Sequence, residues 1–290
     1  MPRRFLSSFY FVLFAFCAFA QPRGHLVIIG GGERGDELMK TIVQLAGGER
    51  AKMIVFTMAT GYPQEVGAEL MAEIKQLGVT DVRAMHLNRE HADMDSVLQL
   101  LQGVTGIYFS GGDQSRVTAA LKGSKVETRL HELYQNGAVI GGTSAGAAIM
   151  SEVMITGDQR RPVGDSSFNK IEAENVITTP GLGFVKTAII DQHFVRRRRM
   201  NRLLSVVFEH PQLVGIGIDE GTAIWVKPDQ TFEVLGVSAV LVIDATHAHV
   251  QRDSEPYALQ ASDARLHILR RGAIYDLRNR KVKRLQTTKQ

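Results

Sequence analysis

The chain has 290 residues, of which 44% are hydrophobic and 22% charged, with 28 glycines, 8 prolines and a single cysteine. This composition excludes disordered, collagen-like and disulfide-stapled proteins, and it predicts a globular fold with ample apolar material for a core. The formal net charge is only +4, so the overall charge does not indicate a nucleic-acid-binding protein.

The first 20 residues have the layout of a secretory signal peptide. Arg3 and Arg4 precede an apolar run over 9–19 that is too short for a membrane span, and an A-x-A cleavage pattern ends at Ala20. We therefore expect a protein exported to the periplasm or the cell exterior, with no membrane attachment after cleavage. Cleavage would remove Cys17 and two arginines but no acidic residue, so the net charge would fall from +4 to +2.

From His25 onward, short apolar runs alternate with longer amphipathic ones, which indicates parallel strands flanked by helices. After about Gly221, the runs become β-rich and are separated by short turns, which is typical of antiparallel hairpins or a meander. We predict strands at 26–29, 53–58, 82–87, 107–110, 138–141, 223–226, 231–235 and 239–243, and helices at 36–46, 65–77, 95–101 and 126–135. The fold class is therefore α/β, with one domain over 21–290. It contains a doubly wound, mostly parallel sheet and C-terminal antiparallel hairpins.

The segment from Gly30 to Gly35 follows the first strand and has the form G-x-G-x-x-G. A dinucleotide site also needs an acidic residue near the end of the second strand, to bind the ribose. That strand here ends in Thr57-Met58-Ala59-Thr60, which contains no acid. We therefore interpret the glycines as a tight turn at the rim of another site, and we expect no cofactor.

The strongest local motif is G-x-S-x-G at 142–146, placed between an apolar strand and a helical run. In this strand–turn–helix context the motif is a nucleophile elbow, in which tight backbone geometry exposes the serine. It predicts that Ser144 is a nucleophile and that the backbone amide of Ala145 faces an oxyanion.

A second glycine turn, at 110–114, ends the preceding strand of the predicted sheet. In a doubly wound sheet the two turns would lie side by side. The amide of Gly112 would then supply a second oxyanion donor, and Gln114 would reach into the cleft as a polar contact.

A serine nucleophile needs a base, and nine histidines are available. His193 is the best candidate, because it follows the apolar strand 188–190 and would lie at the same carboxyl edge of the sheet as Ser144. His247 and His249 have no third ligand beside them, so we interpret them as surface residues and predict no metal site.

A carboxylate should orient the base, and two candidates remain open. Glu220 follows another predicted strand, 216–218, and is preferred, whereas Asp158 is the alternative. With Glu220 the chain order is Ser, His, acid, which differs from the Ser, acid, His order of α/β-hydrolases. Asp158 would restore that order and with it an esterase interpretation.

The highest concentration of charge directly follows His193 and runs from Arg196 to Arg202. On a helix, Arg199 and Arg202 would share a face at i, i+3, and guanidinium groups bind carboxylates through two hydrogen bonds. We therefore expect a substrate rich in carboxylates, not a nucleic acid.

Together, these segments resemble the S51 serine peptidase family, and within it the enzymes that degrade cyanophycin. The motifs are Gly-Gly-Asp-Gln at 111–114, Gly-Gly-Thr-Ser-Ala-Gly-Ala at 141–147, Asp-Gln-His-Phe at 191–194 with its trailing arginines, and Ile-Asp-Glu at 218–220. They occur in the family's order, and the similarity runs from about residue 25 to 244. The resemblance implies a fold similar to class I glutamine amidotransferases, with serine in place of their cysteine.

The resemblance also implies a substrate, cyanophycin, which is a poly-aspartate whose β-carboxyls each carry an arginine, and β-Asp-Arg dipeptides as products. It implies Ser144 as nucleophile, His193 as base, and the Gly112 and Ala145 amides as oxyanion donors. The implied substrate pocket consists of Gln114, Asp191, Gln192, Arg197, Arg199 and Arg202. An S51 aspartyl dipeptidase and a non-catalytic exported protein that binds acidic polymers are the alternatives. The sequence leaves a homodimer open.

Overall fold

The computed structural model describes residues 21–162, 168–253 and 255–285. The predicted signal peptide lies outside the described residues. The helices are α1 Asp36–Leu45, α2 Pro63–Gln76, α3 Asp95–Leu100, α4 Gln114–Leu121, α5 Lys125–Gln135, α6 Ala145–Ala148 and α7 Met200–Glu209. The strands are β1 His25–Ile29, β2 Lys52–Phe56, β3 Asp81–Met85, β4 Gly106–Phe109, β5 Val139–Thr143, β6 Val153–Gln159, β7 Val176–Pro180, β8 Ala188–Gln192, β9 Val214–Ile218, β10 Thr222–Val226, β11 Thr231–Gly236, β12 Ala239–Asp244, β13 His249–Arg252, β14 Leu259–Ser262, β15 Arg265–Arg270, β16 Ile274–Asp276 and β17 Lys281–Arg284.

The largest sheet has nine strands, in the order β17-β16-β11-β10-β1-β5-β4-β2-β3. The five strands from β1 to β3 in this order run parallel, and the four from β10 to β17 are antiparallel to their neighbours. The predicted α/β class, with a mostly parallel sheet and C-terminal antiparallel strands, is therefore confirmed. Because β4 and β5 are neighbours, the glycine turns that follow them lie side by side, as predicted.

Both faces of the nine-stranded sheet are covered, and β1 shows why its sequence is apolar throughout. Val27 and Ile29 pack in one cluster with residues of α1 and α2, whereas Leu26 and Ile28 pack in another, on the opposite face. Successive side chains of a strand point to opposite faces, so a strand buried on both sides has no polar positions. Each such buried side chain stabilises the fold by about 1.5–3 kcal/mol.

The strand that leads to His193 is not part of the nine-stranded sheet, which corrects the sequence prediction. β8 pairs in parallel with β9 in a separate four-stranded sheet, in the order β15-β12-β9-β8. The reason lies in β1, whose two edges already pair with β5 and the antiparallel β10. β8 therefore cannot lie beside β1, and α7 packs against the four-stranded sheet that contains β8.

Several local structures were not predicted from the sequence, and two of them lie next to the elbow. The first is α4, whose N-cap Asp113 accepts a hydrogen bond from the Ser115 amide at 2.8 Å. The second is the hairpin of β6 and β7, which follows the elbow. Among the described residues, no helix is both long and apolar enough to cross a bilayer.

Candidate active site

Ser144 lies at the apex of the turn between β5 and α6, with φ 54° and ψ −110°. Such a positive φ is strained for a residue with a Cβ. The glycines on either side make the turn sterically feasible. A Cβ on Gly142 would overlap the Gly146 carbonyl, and a Cβ on Gly146 would lie 2.8 Å from the Cβ of Phe109. The elbow therefore holds the serine side chain clear of the strand, as the motif predicts.

The structure brings Ser144, His193 and Glu220 into one hydrogen-bonded chain. Ser144 Oγ lies 2.9 Å from His193 Nε2, and His193 Nδ1 lies 2.6 Å from Glu220 Oε1. The alternative acid, Asp158, is exposed on β6. Glu220 therefore occupies the position of the orienting carboxylate, in the geometry that lets an imidazole deprotonate a serine.

The glycine loop after β1 joins the two sheets at this point. The Gly30 carbonyl accepts a hydrogen bond from the His193 amide at 2.7 Å. A Cβ on Gly31 (φ 104°) would overlap the imidazole ring, and a Cβ on Gly32 would lie 2.7 Å from Glu220 Cβ. The loop is therefore the rim of this site, as predicted, and its glycines allow the base and the acid to approach the backbone closely.

Asp219, which the sequence analysis passed over, fixes the turn that follows His193. Its Oδ1 accepts hydrogen bonds from the amides of Val195 (3.1 Å) and Arg196 (2.9 Å), and its Oδ2 accepts one from Ser238 Oγ (2.6 Å). Burial acts to raise the pKa of Asp219, but these hydrogen bonds to the ionised form lower it overall. The sequence signal was the pair of acids after 216–218. Asp219 fixes the turn after His193, and Glu220 contacts the imidazole.

The pKa of His193 is lowered from its ordinary value of 6.5. Burial is the main cause, because it disfavours the imidazolium, and the charges of Arg197 and Arg199 add to it. The hydrogen bond to Glu220 acts in the opposite direction. The imidazole is therefore neutral near pH 7, which is the form that can accept a proton from Ser144.

Two residues assigned to the substrate pocket instead form a buried ion pair. Arg202 Nε donates to Asp191 Oδ2 at 2.7 Å, and Arg202 Nη2 donates to Asp191 Oδ1. Asp191 is 1% and Arg202 3% exposed. Each side chain neutralises the charge of the other, and the pair joins β8 to α7. The prediction that these two residues contact substrate directly is therefore corrected.

The arginine run does not form the helical face that was predicted. α7 begins only at Met200, and Arg199 is its N-cap. Arg199 Nη1 donates to the backbone oxygen (2.8 Å) and to Oε1 (2.6 Å) of the buried Gln192. Burial, together with the charge of Arg202, lowers the pKa of Arg199 to about 10. Arg197, by contrast, is exposed beside the base.

Gln114 was predicted to reach into the cleft, but the structure places its amide elsewhere. The side chain is 6% exposed, and Nε2 donates to the carbonyls of Ile155, at 2.9 Å, and Thr156. Gln114 therefore anchors β6 to the start of α4. A buried amide must satisfy its donors, and the neighbouring hairpin supplies the acceptors.

The second glycine turn lies directly beside the elbow. A Cβ on Gly111 would be 3.4 Å from Ser144 Cβ, and a Cβ on Gly112 (φ 138°) would overlap the Ala59 carbonyl. The Asp113 amide donates to that same carbonyl at 2.9 Å. The turn is thus held rigidly next to the nucleophile. The oxyanion roles of Gly112 and of Ala145 stay predictions.

A cavity of about 300 Å³ opens beside Ser144 and His193. It is bordered by the glycine loop, by the end of β4 and by α2. Three of its polar residues, Arg34, Glu69 and Ser110, were not predicted as site residues from the sequence. Arg34 lies within the glycine motif at 30–35, which was interpreted from its glycines alone. Within the described ranges, no group of three or more His, Cys, Asp or Glu side chains is arranged to hold a metal ion.

Comparisons with known proteins identify the relatives of this chain. The chain matches Peptidase family S51 over residues 26–234. It is 34% identical to a cyanophycinase of Synechococcus elongatus over 90% of this chain and 81% of that protein. It is 33% identical to a cyanophycinase of Geminocystis herdmanii (strain PCC 6308) over 88% of this chain and 94% of that protein.

A solved structure shares the fold. The crystal structure of a peptidase from an acI-B1 Actinobacterium superposes with a TM-score of 0.60 at 21% identity, covering 86% of this chain and 98% of that one. The family match spans both the elbow of Ser144 and the strands that carry His193 and Glu220. The chain therefore belongs to peptidase family S51, and it is a serine-type peptidase.

Proposed function

We propose that this protein is an exported, cyanophycinase-like exopeptidase that hydrolyses cyanophycin to β-Asp-Arg dipeptides. The observation that carries the proposal is the hydrogen-bonded chain of Ser144, His193 and Glu220, found in a protein similar to cyanophycinases over about nine-tenths of its length. The polymer has an α-linked aspartate backbone and an arginyl branch on every unit.

In the proposed reaction, the Ser144 oxygen attacks the backbone carbonyl carbon before the terminal unit, and its proton passes to His193 Nε2. The amides of Gly112 and Ala145 stabilise the resulting oxyanion. The intermediate collapses by breaking the C–N bond, and His193 delivers the proton to the leaving amine, which departs as the dipeptide. Water then attacks the acyl-enzyme, with His193 as base, and frees Ser144.

Glu220 holds His193 in the tautomer that has its proton on Nδ1, and it stabilises the imidazolium that forms. The 2.6 Å contact between Nδ1 and Oε1 supports this role. Because burial lowers the pKa of His193, the base is available over a pH range that begins below 6.5.

The arginines divide into two groups in this proposal. Arg197 is exposed and its charge acts on His193, so it is the arginine that we propose meets a substrate carboxylate. Arg199 is partly exposed, with 16% of its side chain accessible. Arg202 and Asp191 are buried and do not contact the substrate in this proposal. The last two are positioning residues, since their side chains pair with each other.

The test is hydrolysis of cyanophycin granules by the chain from residue 21 onward and by its Ser144→Ala variant. We expect the first protein to clear granules and release β-Asp-Arg, and the variant to lose at least ~10³-fold in rate. Clearing that persists in the variant would remove Ser144 from the mechanism.

Parallel assays separate the alternatives. Hydrolysis of α-Asp dipeptides without clearing of granules would indicate an aspartyl dipeptidase. Granule binding by wild-type protein, without release of dipeptide, would indicate a non-catalytic binding protein. Either result would overturn the cyanophycinase proposal.

Export is tested separately, by expressing the full chain and analysing cell fractions. We expect the protein outside the cytoplasm with Gln21 as its first residue. An N-terminus that still begins at Met1 in the cytoplasmic fraction would contradict the signal peptide.

A further inference from the structure

The cavity beside Ser144 has a composition that the proposed chemistry does not use. One wall is apolar and comes from Val66 and Leu70 of α2. The other lining side chains include a cation, Arg34, an acid, Glu69, and a hydroxyl, Ser110. A pocket with both charges next to a nucleophile is suited to a ligand that carries both charges itself.

Arg34 is held in place on one side only. Its Nη2 donates to Glu73 Oε2 at 3.0 Å, and 20% of its side chain is exposed. Its Nε–H is buried and has no hydrogen-bond partner among the described residues. A guanidinium has five N–H donors, so the ion pair with Glu73 leaves most of them available for a further acceptor.

Ser110 adds a second unsatisfied group at the same cavity. The residue is 1% exposed, and no residue in the described part of the chain forms a hydrogen bond with its Oγ. Buried polar atoms are nearly always paired in native proteins. Arg34 can only donate and the serine hydroxyl can donate, so the ligand that satisfies both is an acceptor. A carboxylate is the acceptor that a guanidinium binds most strongly in proteins.

Glu69 supplies the opposite charge on the outer side. It is exposed on α2, one helical turn before Glu73, so both acids lie on the same face of the helix. Glu73 is paired with Arg34, whereas Glu69 lines the cavity. A cation on the ligand, a short distance from its carboxylate, would be bound here.

We propose that this cavity is a subsite for an arginyl group with a free carboxylate, which is the branch that each cyanophycin unit presents. The carboxylate is bound by Arg34 and Ser110, and the guanidinium by Glu69, while Val66 and Leu70 cover the methylenes. This inference rests on the proposed function, because it names the part of that substrate that enters the cavity next to the scissile bond.

The test measures binding to the inactive Ser144→Ala protein, so that no turnover is needed. Three probes are titrated by calorimetry: Nα-acetyl-arginine, Nα-acetyl-argininamide, which lacks the carboxylate, and Nα-acetyl-citrulline, which lacks the positive charge. We expect the first to bind roughly 10-fold or more tighter than the other two, since each lost charge-assisted hydrogen bond weakens binding by about that factor.

Variants assign each charge to its residue. In the Ser144→Ala background, Arg34→Gln should abolish the preference for the carboxylate over the amide but keep the preference for arginine over citrulline. Glu69→Gln should do the reverse, and because this residue is exposed its replacement does not threaten folding. Arg129→Gln, which removes a surface arginine paired with Glu132, is the matched control and should keep both preferences.

Other outcomes would overturn the subsite. If all three probes bind equally, or if Arg34→Gln and Glu69→Gln keep both preferences, the cavity does not bind this group. The binding readout is separate from the test of the proposed function, which is release of β-Asp-Arg from the polymer by the Ser144-containing protein. Failure of that hydrolysis with probe binding intact would overturn the function alone.

Discussion

The two sheets of this molecule contribute differently to the candidate site. The nine-stranded sheet presents Ser144 on a local motif, in which the strand, the turn and the helix are contiguous in sequence. The four-stranded sheet presents His193 and Glu220 from two different strand ends, β8 and β9, which are separated by α7. The nucleophile is thus a property of one segment, whereas the base and its acid depend on the pairing of two.

This difference predicts which substitutions should affect the nucleophile and which should affect the base. The elbow depends mainly on the glycines of one contiguous segment, which pack closely on each other and on Phe109 of the neighbouring β4. The base needs the parallel pairing of β8 with β9, the buried pair of Asp191 and Arg202, and the glycine loop that links the sheets. Changes on the four-stranded side should therefore alter activity even when the nucleophile is untouched.

The largest expected effect on this side comes from Glu220→Gln. The amide can no longer stabilise the imidazolium, and it can hold His193 in the wrong tautomer, so kcat should fall by roughly 10³-fold. The measurement is kcat for release of β-Asp-Arg, with Asp158→Asn as the matched control. A larger loss in Asp158→Asn than in Glu220→Gln would reverse the assignment of the acid.

Next in size is Arg202→Leu, which breaks the buried ion pair of the second sheet. Removing one partner leaves Asp191 charged and buried, which should lower the free energy of unfolding by about 3–5 kcal/mol. Urea denaturation measures the change, and Arg129→Leu on α5, where the side chain is 31% exposed, should cost less than about 1 kcal/mol. Equal losses of unfolding free energy in the two variants would show that the buried pair of Arg202 and Asp191 contributes no more to stability than a surface ion pair.

A smaller effect is expected from Gly31→Ala, at the loop that joins the sheets. The added Cβ would overlap the His193 ring and move it away from Ser144, and a displacement of about 1 Å costs on the order of 10²-fold in rate. Gly35→Ala in the same loop is the control, because a Cβ there meets nothing within 4 Å. If both variants are equally active, the loop does not position the base.

The smallest expected effect is a shift in the pH dependence of kcat/KM caused by Arg197→Gln. Protonated His193 cannot act as base, so kcat/KM rises with pH through its pKa. Arg197 helps to lower that pKa, after burial as the main cause, so its removal should move the acid limb to higher pH. Because Arg197 is exposed and screened by solvent, the shift should be less than about one unit. Arg198→Gln should shift the limb less, and a shift to lower pH in Arg197→Gln would contradict the electrostatic account.

Much of the parallel core could be predicted from the sequence. The alternation of apolar strands with amphipathic helices placed β1 to β5 close to their observed bounds, because burial on both faces leaves an unbroken apolar pattern. The short helix α4 and the hairpin of β6 and β7 were missed, since their stability comes from contacts such as that of Gln114 with the Ile155 carbonyl. Such contacts join residues that are far apart in the chain.

The sequence by itself determined the elbow at Ser144, because the steric demand for glycine on both sides acts over five residues. It also singled out His193 and preferred Glu220, from their positions at strand ends. Only the tertiary structure shows that Glu220, and not Asp158, contacts the imidazole, at 2.6 Å from Nδ1. It also separated the buried Arg202, which pairs with Asp191, from the exposed arginines 196–198 that directly follow the base. The arginines of such a run cannot be told apart from the sequence. They differ in how far each guanidinium is removed from water, which depends on how the second sheet packs.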